Sequence, residues 1–385
     1  MSPVATRASG LAVSPIRRMA VGAPDGTVSL GLGEPGWPVP LVARQALAAA
    51  GAAEGALPYG PNTSSPELVA AVRDQHAAAH GIPGLSTEQV MVTSGSQAAL
   101  FALFCAHVEA GSTVLVPDPG FVSYRSLAHL CQARAVGYRL GEGGALDAWQ
   151  VETALEAHSD VSLVVLNHPA NPTGGMASAA ALARVAEACA RRGVLLVSDE
   201  VYRELWVGER PPGLHDTAGV DAGVVLGSVS KAFGAPGLRV GWAVGAAELL
   251  APARVVHNAM TTAPARPSQE AATALLRAAD EVLAEARGHV RARWALLARV
   301  APHLLPPDTS GGGRAGFYLW LPLPDGVPPE ETTDFALRVR DTSRVTTVPG
   351  DAFGPAGAGW LRVSLGGPLE ELDEGLARLA PWWKA

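Results

Sequence analysis

One lysine stands in the run GSVSKAFGAPGLRVGW (227–242), and an arginine follows it eight positions later, Lys231 and Arg239. Only 17% of the chain is charged, so two cations within a stretch that otherwise reads as buried backbone ask for a chemical reason. Burial and a neighbouring like charge both disfavour a protonated lysine, and a neutral amine attacks a carbonyl carbon to form a Schiff base. Arg239 supplies the second charge, and its planar fork suits a dianion such as phosphate. Two further polar signatures follow apolar runs: NHPANPTGG after 162–166 and SDEVY after 194–197.

These segments gather Asn171, Asp199, Tyr202, Lys231 and Arg239 around one expected cleft. A cofactor with an aldehyde, a phosphate and a ring nitrogen would use them all, and pyridoxal 5′-phosphate is such a cofactor. Asp199, with Glu200 beside it, would keep the pyridine nitrogen protonated and make the ring an electron sink. Asn171 and Tyr202 would donate to the ring phenolate. TSGSQAAL (93–100) reads as a turn opening a helix, so the backbone and hydroxyls of Gly95, Ser96 and Gln97 would face the phosphate. Phe121, in PDPGFVSY, would stack on the ring.

The elements that must hold these residues are short β-branched or Leu-rich runs alternating with Ala-rich helical stretches, the pattern of a parallel sheet covered on both faces. The expected class is α/β. Strands are expected at 89–93, 113–117, 162–166, 194–198 and 224–227, and helices at 96–107, 178–191 and, as one long element, 267–300. In such sheets ligands collect beyond the carboxyl ends of the strands, where the polar signatures lie. A returning strand in LRVGWAV would carry Arg239 back toward Lys231.

With 385 residues, 48% of them hydrophobic, the chain can bury a large core. A formal charge of −7 and the lack of any Lys/Arg block argue against a nucleic-acid partner. The N-terminal stretch MSPVATRASGLAVSPIRRMAVG has no apolar core of signal-peptide length, and the longest apolar run, Ala98 to Ala106, is too short to span a bilayer. Three scattered cysteines, Cys105, Cys131 and Cys189, suit a reducing compartment better than a disulfide framework. A cytoplasmic enzyme is the expectation.

The residues together resemble the fold-type I pyridoxal-phosphate aminotransferases of the aspartate aminotransferase superfamily. The likeness runs nearly end to end: GLGEPGWPVP (31–40), YGPNTSSPELVAAV (59–72), NPTG, SDEVY, SVSKAFGAPGLRVGW, GFYLWL, VPGDAFG and LRVSL. It implies a 1–42 arm contributing to a small domain, a 43–275 cofactor-binding domain and a 276–385 small α+β domain. It further implies Lys231 as Schiff-base lysine and proton shuttle, Asp199 as ring-nitrogen partner, and Ser228, Arg239, Ser96 and Gln97 as phosphate ligands. Arg362 would hold the substrate α-carboxylate with Asn171 and the Gly33 backbone. Tyr59 would reach the phosphate in a neighbouring subunit, which makes a homodimer the expected partner state. The implied substrates are an L-amino acid and a 2-oxo acid.

Three positions depart from the family pattern: His168 where Asn is common, Gly36-Trp37 where an acidic-aromatic pair is frequent, and Gln97 where a branch selective for acidic substrates carries Lys. Each motif alone is ordinary, SxxK as a surface lysine and NPTG as a turn, whereas their order and spacing together are specific. A β- or γ-lyase acting on carbon–sulfur bonds would use the same lysine and ring. A non-catalytic regulatory protein is disfavoured because Lys231, Asp199 and Arg362 are all present.

Overall fold

The computed structural model describes residues 4–9, 11, 18–55, 58–306 and 314–383. After a short β1 (Val28–Ser29) come β2 (Val90–Thr93), β3 (Thr113–Asp118), β4 (Arg134–Arg139), β5 (Val161–Asn167) and β6 (Leu195–Asp199). β7 (Trp206–Val207), β8 (Val224–Ser228) and β9 (Gly241–Val244) follow. β10 (Arg314–Ala315), β11 (Tyr318–Pro322), β12 (Val345–Thr346), β13 (Val348–Pro349) and β14 (Trp360–Ser364) lie toward the C-terminus.

Seven strands form the main sheet in the order β2-β9-β8-β6-β5-β3-β4. Neighbours from β8 to β4 run parallel, and β9 lies antiparallel between β2 and β8. The expected α/β class holds, and each of the five expected strands is present within one residue at either end. Residue alternation explains the double cover. Leu163 and Val165 of β5 join a core with helices Ser96–His107, Val122–Leu130 and Ala247–Met260, while Val164 and Leu166 face helices Ala148–Ala157 and Ala179–Arg192.

Helix ends follow their capping residues. Ser178 accepts a hydrogen bond from the Ala181 N–H at 3.1 Å, and Gly193 closes the same helix in the left-handed region. The long helix expected over 267–300 is instead two, Arg266–Arg277 and Ala279–Val300, bent at Ala278. The Ala-rich run carries no breaker residue to announce that bend. It lets Leu275 and Leu276 on one side and Val282 and Leu283 on the other enter one core.

A second sheet, β11-β14-β13, is antiparallel throughout. The N-terminal segment is tied to the same part of the chain: β1 pairs with β12, the Leu30 N–H donates to the Thr346 carbonyl at 2.9 Å, and the Ser364 N–H donates to the Leu30 carbonyl at 2.7 Å. Residues 31–37 are thereby carried from the C-terminal sheet toward the strand ends of the main one.

Candidate active site

The sheet register decides which residues meet. Asn167 at the end of β5 stands opposite Asp199 at the end of β6, Asp199 opposite Leu226 of β8, and Ser228 at the end of β8 opposite Gly241 of β9. Everything that follows these strands emerges on one edge, where α/β sheets place their ligands. Asn167 fixes the next turn: its Nδ2 donates to the Asp199 carbonyl at 3.0 Å, and its Oδ1 accepts from the Asn171 N–H at 2.7 Å.

Asp199 is buried, and Tyr124 donates to its Oδ2 at 2.7 Å. Its Oδ1 has no hydrogen-bond partner among the described residues. Burial pushes the carboxyl pKa up to about 6, against the pull of the Tyr124 hydroxyl, the Val201 N–H and the Lys231 charge. A buried carboxylate oxygen without a donor is costly, and a protonated ring nitrogen is the kind of donor that would satisfy it. The residues present therefore fit pyridoxal phosphate.

Glu200 takes the opposite side of the chain, as consecutive residues leaving a strand do. Its Oε1 accepts from the Ser198 hydroxyl at 2.9 Å and the Leu214 N–H at 2.8 Å, and it lies among His168, His80 and Arg203. Its Oε2 accepts no hydrogen bond among the described residues and faces Arg203 Nε at 3.7 Å and His80 Nε2 at 4.0 Å.

Lys231 is half-buried and Arg239 is exposed, where the sequence led us to expect a buried pair. The reason is positional: the first lies in the turn beyond the end of β8 and the second caps the short turn Pro236–Leu238. The Lys231 Nζ donates to the Gly33 carbonyl at 2.5 Å and sits 5.6 Å from the centre of the Tyr202 ring. The Tyr202 hydroxyl lies 2.8 Å from that of Tyr318. Gly33 has no alternative, because a Cβ there would overlap the Tyr318 hydroxyl.

The expected phosphate ligands also converge. Gly95, at φ 87°, precedes helix Ser96–His107; its carbonyl accepts from the Ala98 N–H at 3.0 Å, which leaves the Ser96 and Gln97 N–H groups as the helix's open donors. A Cβ on Gly95 would press into the Arg239 guanidinium, and Arg239 itself is left-handed at φ 53°. The Ser228 Oγ lies 2.8 Å from the Ser230 Oγ and accepts from the Ser230 N–H at 3.0 Å. The Ser94 N–H donates to His257 Nε2 at 3.3 Å, bracing the turn from helix Ala247–Met260. Gln97 is exposed beside it.

Arg362, on β14, comes from the other sheet. Only 1% of it is exposed, yet it has no carboxylate partner among the described ion pairs. Its Nη1 donates to Asn171 Oδ1 at 2.8 Å and its Nη2 to the Gly31 carbonyl at 2.5 Å, while Nε has no partner. The guanidinium carbon lies 4.5 Å from the Tyr318 ring centre and 4.9 Å from that of Phe353. A buried cation without a counter-ion suits an anionic ligand group. Since Asn171 Oδ1 accepts from Arg362, its Nδ2 is the end left to donate.

The two remaining expected site residues are Tyr59 and Phe121. Tyr59 is 94% exposed, beside a cleft of about 620 Å³ lined in part by Arg266 and Gln269. Phe121 is half-buried and meets Tyr124 edge-on at 5.6 Å. Sequence reasoning missed Tyr124, Tyr318 and Asn167. Tyr124 was visible three residues after Phe121 in one helical turn, whereas nothing in the sequence placed Tyr318 against Tyr202. At the Gly36-Trp37 departure, Trp37 stacks on His289 at 5.5 Å and under Arg293 at 4.9 Å, so it braces the arm.

Strand order, the carboxylate at the end of β6 and the lysine after β8 define the class: a pyridoxal-phosphate enzyme of fold type I. The family follows from comparison with known proteins. The chain belongs to the aminotransferase class I and II family, whose model matches residues 25–379. It is 30% identical over 362 residues to an LL-diaminopimelate aminotransferase of Desulforudis audaxviator, covering 91% of this chain and 89% of that one. An aspartate aminotransferase of Rhizobium meliloti is 28% identical, with 98% and 95% covered. A single mutant of Thermus thermophilus aspartate aminotransferase superposes with a TM-score of 0.88 at 26% identity, covering 99% of this chain and 100% of that one. The protein is thus a pyridoxal-phosphate-dependent aminotransferase, and these similarities support amino-group transfer and not the lyase alternative. No described helix is long and apolar enough to cross a membrane.

Proposed function

We propose that this aminotransferase moves the amino group of an L-α-amino acid to a 2-oxo acid at a site built on Lys231. The observation that carries the reading is the buried Asp199 Oδ1 without a donor, at the same strand ends as the Lys231 amine. When bound, pyridoxal 5′-phosphate supplies an electron sink for negative charge at the substrate α-carbon. Lys231 would hold the cofactor through its amine and would carry the proton to and from the substrate α-carbon. Asp199 holds the proton on the ring nitrogen, and Tyr124 holds Asp199. Asn171 Nδ2 and the Tyr202 hydroxyl would donate to the phenolate oxygen, and Phe121 would cover a ring face.

Gly95, Ser96, Gln97, Ser228 and Arg239 receive the phosphate, joined by Tyr59 of the partner subunit in a homodimer. The exposure of Tyr59 supports that assignment, since its ring finds little to pack on within its own chain. Arg362 binds the α-carboxylate, with Asn171 and the Gly33 backbone beside it, and so fixes which α-bond faces the ring. Relatives are named for diaminopimelate, aspartate, glutamine and arginine, substrates that share an α-amino carboxylate and differ in side chain. Arg362 reads the shared part. The division into 1–42, 43–275 and 276–385 is supported by the β1–β12 pairing and by the bend at Ala278. A cytoplasmic location is supported by the odd number of cysteines, all free thiols.

The test is a visible spectrum of the holoenzyme on adding single amino acids without a 2-oxo acid. The expected result is a yellow band that bleaches with one equivalent of 2-oxo acid released, and a Lys231→Ala variant that does neither. Undiminished turnover by Lys231→Ala, or release of ammonia while the band persists, would overturn the proposal.

A further inference from the structure

Tyr318 opens β11 in the antiparallel sheet that also carries Arg362, and it is 3% exposed. It touches three residues to which the preceding reading gives work. Its hydroxyl lies 2.8 Å from that of Tyr202 and 3.5 Å from the Gly33 carbonyl oxygen that also accepts from Lys231. Its ring lies under the Arg362 guanidinium at 4.5 Å. The glycine at position 33 exists to admit this hydroxyl. So large a commitment of space to one phenol group, at the meeting point of the two sheets, has no explanation in packing alone.

We propose that Tyr318 is a positioning residue: its hydroxyl donates to Tyr202 and thereby turns the single Tyr202 proton toward the cofactor's phenolate oxygen. The inference rests on the proposed site assignment and follows from counting protons. Each phenol carries one. If Tyr202 spent its proton on Tyr318, it would have none for the cofactor. With Tyr202 as donor to the cofactor, the short contact between the two hydroxyls can only be donated by Tyr318. The Gly33 carbonyl does not compete well for that proton, because at 3.5 Å it stands at the outer limit of hydrogen bonding from Tyr318.

A donor polarised by a second donor is a stronger one, and the chain of hydroxyls is shielded from water. Burial, with the Tyr318 contact next, raises the Tyr202 pKa well above that of a free phenol, so Tyr202 keeps its proton throughout the working range. The ring of Tyr318 has a separate task, as a flat face that keeps Arg362 in its plane for a carboxylate. Removing only the hydroxyl divides the two tasks.

The experiment titrates the visible band of the lysine-bound cofactor against pH in wild type, Tyr318→Phe, Tyr202→Phe and the double variant, with melting temperature as the fold control. In Tyr318→Phe the band's apparent pKa is expected to rise by roughly half to one unit, the size of one neutral hydrogen bond. The kcat is expected to fall about threefold to tenfold, while KM for the amino acid changes less than about twofold because the ring under Arg362 remains. In the Tyr202→Phe background, adding Tyr318→Phe is expected to shift nothing further, since the relay has already been cut. An unchanged band in Tyr318→Phe overturns the proposal, and so does a shift of the same size in the Tyr202→Phe background. A wild-type protein that forms no band with added cofactor, or a Lys231→Ala variant that keeps it, overturns the site assignment itself.

Discussion

Asp199 and Glu200 are adjacent in the chain, equally buried, and placed on opposite sides of one strand end. On the first side, one oxygen holds Tyr124 and the other holds nothing, and burial lifts the carboxyl pKa to about 6. On the second, burial also works against the charge, but the facing His168, His80 and Arg203 and the Leu214 N–H outweigh it and hold the Glu200 pKa below the usual range. Arg203 is in turn fastened to Asp216 at 2.8 Å and to the Pro211 carbonyl at 3.1 Å. A carboxylate whose charge is balanced by facing cations, as at Glu200, where the Oε2 that accepts no hydrogen bond lies 3.7 Å from Arg203 Nε and 4.0 Å from His80 Nε2, stabilises the fold. One left short is prepared to bind something.

Asp199→Asn gives the largest expected effect. The kcat/KM is expected to fall by about 10³-fold, because an amide leaves the ring-nitrogen proton without its counter-charge. Stability of the cofactor-free protein moves the other way. The folded Asp199 pKa lies above the ordinary value, so between about pH 4 and pH 6 the folded chain binds more protons than the unfolded chain, and stability falls as pH rises through that window. Asparagine carries no charge to desolvate. Above that window the cofactor-free variant should be more stable than the cofactor-free wild type, by on the order of 3 kcal/mol, and the advantage should vanish toward pH 4. A melting series on both cofactor-free forms reads this directly, and a variant that melts below wild type at alkaline pH would break the contrast.

Glu200→Gln should do the reverse. Loss of the charge leaves Arg203 without one of its facing carboxylates inside a buried network, and the expected cost is about 3 kcal/mol of stability. The pH at which the cofactor band changes should stay where it is in wild type. Because the folded Glu200 pKa is depressed, its contribution is present at neutral pH and lost as pH falls below the ordinary carboxyl value. The wild-type and variant melting temperatures should therefore converge in acid. A moved cofactor band in this variant would show that the two sides are not independent.

The same contrast explains what could be read from the sequence. The cofactor side is legible because it is local: β5, β6 and β8 are apolar runs that stop at Asn167, Asp199 and Ser228, and parallel register brings the stops together. Lys231, Asn171 and Asp199 needed only that. The substrate side depends on contacts between distant segments, such as Arg362 with the Gly31 carbonyl and Tyr318 with Tyr202. No pattern within either segment encodes them, so Arg362 was accessible only through resemblance and Tyr318 was missed. The Glu200 side was also illegible, because His76, His80, Arg203 and His215 lie on helices and turns whose polar residues read as solvated. The bend at Ala278 escaped for a related reason: it answers to the core it enters, and its own residues carry no breaker.

His168 tests the contrast at its weakest point and should give the smallest effect. Its Nε2 lies 3.0 Å from Ser198 Oγ, and Ser198 spends its one proton on Glu200. His168 must then donate through Nε2, which leaves Nδ1 bare, and Nδ1 indeed has no partner among the described residues. Burial first, with the Arg203 and His80 charges adding to it, depresses the imidazole pKa against the pull of Glu200 and Asp216, so the ring is neutral in the folded state at neutral pH. For a histidine held below its free value, the unfolded chain binds the extra proton, and stability is lost as pH falls through about 6.5. His168→Asn retains a donor for Ser198 and removes the titrating group. Its activity should stay within about twofold of wild type and its stability at neutral pH within about 1 kcal/mol. The drop in melting temperature from neutral pH into mild acid should shrink without disappearing, since His76 and His215 are depressed by burial in the same cluster. A drop equal to that of wild type would mean that His168 is already charged in the fold, and the proton count that places Ser198 on Glu200 would have to be reversed.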